Sequence, residues 1–328
     1  MFPDLVLLAL MGGLLGASAH RAGLCTVKAV AEVITTGTAH VLWSFLKASF
    51  WTLGLLWVAA LAGFDAALSA RPLLLTGVAG GILFGVGAGL NGACSFSTLA
   101  RLSEGHSVML LTLVGWGLGL LMMSYLAPIT QGSASATTLP GWLVLPSFAW
   151  LLWEGGRLAR LVWGRGRGIL TDGVWPLSLG VFLMALANSG LLLMDRPWSF
   201  TSTAICATGA VQVAPCAHQA TLWLVSTTAI FAMVTSAVLR GSFRIRPMRL
   251  RSGVRRLGAG NLMGAGAAMI PGGNDGLILF GIPSLSPHAL PAWLGIVAGI
   301  WIALAAMRGL GAQVPRITCE GDVCRVDL

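Results

Sequence analysis

The sequence predicts an all-α, polytopic membrane protein of about nine transmembrane helices plus short re-entrant half-helices, built as pseudo-symmetric internal repeats. Three observations lead there. Of 328 residues, 56% are hydrophobic and 9% charged, with a mean hydropathy of +0.84, against roughly 25% charged in a soluble domain. Apolar runs of helix length recur from end to end, which reads as one transmembrane domain over 1–312, with repeat halves near 1–150 and 170–310, and a short polar tail at 313–328. Glycine clusters interrupt several runs, and the pattern around one interruption returns around another.

The first run, Leu5–Ala19, has Asp4 before it and His20 and Arg21 after it. This is the reverse of a secretory signal peptide, so the segment is expected to stay in the mature chain. Further runs lie at Val41–Gly63, Leu73–Leu90, Val108–Ala127, Leu139–Trp153, Trp175–Met194, Ala217–Leu239, Gly258–Ile270 and Ala289–Met307.

The formal charge of +9 has an address. Arg157, Arg160, Arg165 and Arg167, with Arg240, Arg244, Arg246, Arg249, Arg251, Arg255 and Arg256, hold eleven of the 20 Lys and Arg in two short loops. Such clustering between apolar runs reads as positive-inside bias, placing both loops in the cytoplasm and excluding nucleic acid as a partner. Residues 195–216 then face outward or fold back into the protein, and the uncharged stretch 129–141 is an external loop.

Some segments are too short to cross a hydrocarbon core, which needs about 20 helical residues. They follow glycine breaks, in "HRAGLCTVKAVAEVITTG", "NGACSFSTLARLSEG" and "IPGGNDGLILFGIPSLSPHAL". Irregular backbone at membrane depth is tolerated only against protein or a water-filled cavity, so the breaks face a central path. The first two match: Gly16, Gly23 and Cys25 align with Gly85, Gly92 and Cys94 at a constant offset of 69. "GAGAAMIPGGND", with Gly264 and Gly266, begins a third copy without the cysteine, and "LGVFLMALANSG" suggests a fourth.

At each matched break a left-handed Gly23 or Gly92 ends one helix, and the next starts near the cysteine with Thr26 or Ser95 available as a cap. The thiol is then beside a helix N-terminus, where free N–H groups and the dipole favour an anion. A cysteine in an apolar helix is ordinarily packing material. Recurrence at matched breaks makes Cys25 and Cys94 the candidates for chemistry, through soft S–H contacts without a charge or through ionisation.

The remaining candidates are graded by position. Lys28, one turn after Cys25, either complements an anion or snorkels to the interface, and Asp275 either caps its own helix or pairs with Lys28. Asn274 offers an amide donor, and Asn91, Gly272 and Gly273 line the same breaks. Glu32, Arg101, Glu104 and His106 are placed at the interface. Cys206 and Cys216 pack or line the path ahead of pairing as a disulfide. If that end is external, Cys319 and Cys324 are equally suited to a local disulfide or free thiols; a two-cysteine metal site is not expected without other nearby ligands. The histidines show no metal-binding spacing, no cofactor is indicated, and no CxxC is present.

These stretches resemble the YeeE/YedE family of bacterial sulfur-compound transporters, through "FGVGAGLNGACSFSTLARLSEG", "HRAGLCTVKAV" and "GNLMGAGAAMIPGGNDGLILFGIPSLSPHALPAW". The resemblance implies a multi-pass protein of the bacterial inner membrane, pinched at a central constriction where cysteines contact the terminal sulfur of thiosulfate. It makes Cys25 and Cys94 the first two such cysteines. Members active on thiosulfate carry a further cysteine in the second half, where this chain reads Gly272, Gly273, Asn274, Asp275; related sulfur or selenium species are therefore candidates too. A cytoplasmic TusA-like sulfur carrier is the implied partner, suited to the arginine loops. The expected function is a permease for a small sulfur anion and not an enzyme; the alternative is an intramembrane thiol enzyme passing sulfane sulfur to a carrier.

Overall fold

The computed structural model describes residues 2–66, 68–126, 133–166, 168–209, 214–248 and 250–327. Arg167, Arg249 and the start of the expected external loop, 129–132, lie outside the described residues. The fold is 73% helical. A long helix α1 (Phe2–Ala22) is followed by a short α2 (Thr26–Thr36) and a long α3 (His40–Leu61). After strand β1 (Leu68–Ala70) the same order returns in α4 (Leu75–Asn91), α5 (Ser95–Ser103) and α6 (Met109–Leu126), and strand β2 (Ser135–Thr137) pairs antiparallel with β1. Next come α7 (Val144–Arg165), the short α8 (Gly168–Thr171), α9 (Leu177–Leu193), α10 (Phe200–Thr208), α11 (Gln219–Leu239) and α12 (Leu250–Met269). The four-residue α13 (Gly273–Gly276) runs into a π-helical turn, Leu277–Gly281, before α14 (Ala289–Gly309). Strands β3 (Arg316–Glu320) and β4 (Val323–Asp327) close the chain as a hairpin, so the expected polar tail is a folded element.

Among the described residues, six helical stretches are long and apolar enough to cross a membrane: Pro3–Thr36, His40–Leu61, Leu75–Ser103, Met109–Leu126, Cys216–Leu239 and Ala289–Gly309. The chain is thus a multi-pass membrane protein. The other predicted runs fall in α7, α9 and α12; α9 is apolar but only 17 residues long.

Small residues set the packing. In α4, Gly81, Gly85 and Gly89 form one row whose positions leave no room for a Cβ against α14, while Gly80 and Gly87 do the same against α12. Gly115 and Gly119 of α6 meet α12 backbone, and Gly260 and Gly264 answer from the other side. Between helices in lipid, where apolar burial supplies little drive, such close backbone approach maximises dispersion contacts. A buried ion pair, Lys47 Nζ to Glu154 Oε1 at 2.6 Å, fastens α3 to α7.

The arginine-bearing loops share one face. Arg21 reaches the Asp172 carbonyl (2.8 Å), His20 and Arg21 both contact Ser236, and the Arg244 and Arg246 N–H groups bond Glu104 and Gly105. The terminal hairpin lies on this face: Asp322 accepts from Ser178 N–H at 2.7 Å, and its carbonyl accepts from Leu177 N–H.

Candidate functional site

The first two breaks have one backbone design. Gly23 and Gly92 are left-handed, at φ 62° and 69°, a conformation open to glycine at little cost. The following N–H reaches back five residues, Leu24 to Ala19 (3.3 Å) and Ala93 to Ala88 (3.2 Å), closing the helix end. Cys25 and Cys94 are extended and are themselves the N-cap residues of α2 and α5, without a side-chain cap bond. Thr26 and Ser95 are therefore the first helical residues and not the caps, which corrects the sequence expectation. The cysteine carbonyls accept the first helical bonds, from Ala29 (2.9 Å) and Thr98 (2.8 Å).

The two caps meet. Cys25 and Cys94 are free, neighbouring thiols, each 1% exposed. Ser97 Oγ points to the Leu24 carbonyl at 3.4 Å. Ser95 is fully buried, and its Oγ has no hydrogen-bond partner among the described residues. Lys28 is half-buried and turns back to the Gly23 carbonyl at 3.4 Å.

Two more short helices approach from the other side. Asp195, left-handed at φ 54°, ends α9, and Ser199 caps α10 by accepting from Ser202 N–H at 2.9 Å. This break falls beyond the stretch from which the sequence suggested a fourth copy. The third uses consecutive left-handed glycines, Gly272 and Gly273, without an extended cap. Asn274 exchanges contacts of 3.3–3.4 Å with Thr26 Oγ1, joining α13 to α2. Asp275 does not pair with Lys28: it accepts from Thr201 Oγ1 (2.5 Å) and Thr201 N–H (3.2 Å), joining α13 to α10. Phe96, Trp198 and Phe200 stack edge-on at centroid distances of 4.6–6.4 Å between α5 and α10.

Several expected residues serve the frame. Asn91 donates to Ala93 O and Thr98 Oγ1 and accepts from Thr112 and Arg256, locking the break between α4 and α5 to α6 and α12. Cys206 and Cys216 form a disulfide, correcting the preference for packing or lining; α10 folds back beside α11 and brings their Cα atoms to 5.3 Å. Cys319 and Cys324 are also bonded, as cross-strand partners. Glu32 is wholly buried instead of interfacial, because the terminal hairpin covers it.

The sequence did not single out Thr201, Ser199, Ser49 or Asn188. Ser49 and Asn188 donate to the Ile278 and Leu279 carbonyls exposed by the π turn. Isolated Ser, Thr and Asn in apolar helices were the available signal. On the face away from the arginine loops, a cavity of 380 Å³ lined by Arg71, Arg196, His218 and His288 reaches Ser202 and Gly272. Burial, and then the Arg71 charge, lower the His288 imidazole from its ordinary value.

Broken helices whose N-termini converge inside a multi-pass bundle define a protein of the membrane-transporter class. A family model described as sulphur transport matches residues 21–302, and the chain belongs to that family, YeeE/YedE. No curated protein matches the chain at a significant level.

Proposed function

We propose that the protein is a permease for a small sulfur-containing anion, with thiosulfate the first candidate, passing it through a constriction formed by Cys25 and Cys94. The carrying observation is the pair of free, buried thiols at two converging helix N-termini. There the anion meets N–H dipoles while its terminal sulfur meets S–H groups. Ser95, Asn274 and Lys28 are donors along the path, with Gly23, Gly92, Gly272 and Gly273 shaping it; Asp275 positions α13. The proposal includes about nine spanning helices, four related helix-break units in two halves near 1–150 and 170–310, and the bacterial inner membrane with the arginine face in the cytoplasm. A TusA-like carrier received on that face completes it.

Labelled thiosulfate uptake into proteoliposomes tests the reading. Cys25→Ala and Cys94→Ala are expected to lower uptake by more than tenfold with normal membrane insertion; unchanged uptake in both rejects it. The proximity of the two thiols also favours a second reading, a sulfane-sulfur transferase. That reading requires a persulfide on Cys25 or Cys94, visible as a 32 Da gain in intact mass.

A further inference from the structure

The terminal hairpin brings a sulfur atom to two groups that belong to other elements of the chain. Glu32 lies in the second half of α2, His40 starts α3 and Cys319 lies in β3, yet one ligand atom from each falls within 4.8 Å of the others. Glu32 Oε1 is 3.0 Å from His40 Nδ1 and 3.5 Å from Cys319 Sγ. The same carboxylate accepts from His40 N–H and Thr38, and its Oε2 accepts from Val41 N–H, which fixes it in place. While Cys319 is bonded to Cys324, its sulfur has no proton to offer that oxygen. The contact is better used by a thiol, which can donate, or by a thiolate that shares a cation with the carboxylate.

We propose that Glu32, His40 and Cys319 form a zinc-class metal site that becomes available when the Cys319–Cys324 disulfide is reduced. A mixed carboxylate, imidazole and thiolate set suits a borderline cation over calcium or magnesium. Tetrahedral zinc sets its ligand atoms roughly 3.3–3.8 Å apart, close to the two separations above. His40 is half-exposed, so solvent supplies the fourth ligand. The hairpin shares the arginine face, and a cytoplasmic location for that face favours the reduced pair.

The chemistry balances. A dithiol reductant gives two electrons and two protons to the S–S bond, becoming a disulfide itself and leaving two thiols. Cys324 keeps its proton, while Cys319 releases its own to solvent on binding the metal. The neutral His40 ring moves its proton to Nε2, and Nδ1 exchanges its bond to Glu32 for one to the metal. The loaded site would tie α2, α3 and the hairpin together, at the far end of the helix that Cys25 caps.

Cobalt(II) titration of the purified full-length protein tests this, with zinc as competitor. Wild type reduced and then freed of reductant is expected to bind one cobalt per chain, with a near-ultraviolet thiolate-to-metal band. Oxidised wild type should bind at least tenfold more weakly. Cys324→Ser, with its partner thiol unpaired, should show the band without reduction, and adding His40→Gln should weaken binding at least tenfold. Cys319→Ser should lose the band although Cys25 and Cys94 remain. A band that persists in Cys319→Ser, or is missing from reduced wild type, overturns the proposal; the wild-type arm decides even if a variant misfolds.

Discussion

The short helices start in two different ways. On the arginine side, α2 and α5 are capped by Cys25 and Cys94, whose side chains make no cap bond. On the opposite side, α10 is capped by Ser199 through a hydroxyl bond to Ser202 N–H, and α13 is held by Asp275 against Thr201. Serine is among the preferred N-caps, and the side chains of the second pair are occupied in holding their own structure. The cysteines give up that capping and leave two thiols toward each other. Stability is concentrated in one pair of breaks and chemical availability in the other.

Replacing the sulfur alone puts most strain on this contrast. Cys25→Ser and Cys94→Ser supply a good cap of nearly the same size, so thiosulfate uptake is expected to fall more than tenfold while thermal stability holds or rises by up to about 1 kcal/mol. Retained uptake would mean that the cysteines are spacers.

The opposite pair should respond in stability. Thr201→Val leaves the buried Asp275 carboxyl without its hydroxyl donor, at a cost of about 1–3 kcal/mol in denaturation measurements. Ser199→Ala should cost about 1 kcal/mol and leave uptake by the folded fraction near wild type. A large uptake defect at unchanged stability would erase the distinction between the two pairs.

The smallest effect is expected at the arginine face beyond α5. Burial alone would raise the Glu104 carboxyl, but the His20 imidazole 3.4 Å away, with Arg240 and His106, holds it below its ordinary 4.5. Its stabilisation is therefore full above pH 4.5 and is lost as the pH falls through the lower folded value. Glu104→Gln should flatten the acid limb of the stability profile; an unchanged limb would assign that loss to other carboxyls.

Much of this is legible in the sequence. Gly23 and Gly92 announced left-handed helix ends because few residues other than glycine adopt them cheaply, and both end a helix as expected. The cap identity was misread by one residue, since Thr26 and Ser95 are stronger caps than cysteine in isolation and only the backbone shows which residue is extended. Asp275 was misassigned because its partner Thr201 is 74 positions away in an apolar stretch with no charge to flag it. Glu32 looked interfacial because nothing in the tail signals that it folds back over α2.

By itself the sequence determined the membrane class, the recurrence of long apolar helices, the clustering of arginines and the glycine ends of the first two breaks. These follow from local rules: hydropathy over helix length, glycine conformation and loop charge. Only the tertiary structure decided that Cys25 and Cys94 are neighbours, that Asn274 reaches Thr26 while Asp275 goes to Thr201, and that Cys206 joins Cys216. It also decided that Cys319 lies beside Glu32 and His40. Those contacts depend on which helices pack at close range, and in an apolar medium shape complementarity between rows of small residues sets that choice, leaving little trace in the pattern of polar residues along the chain.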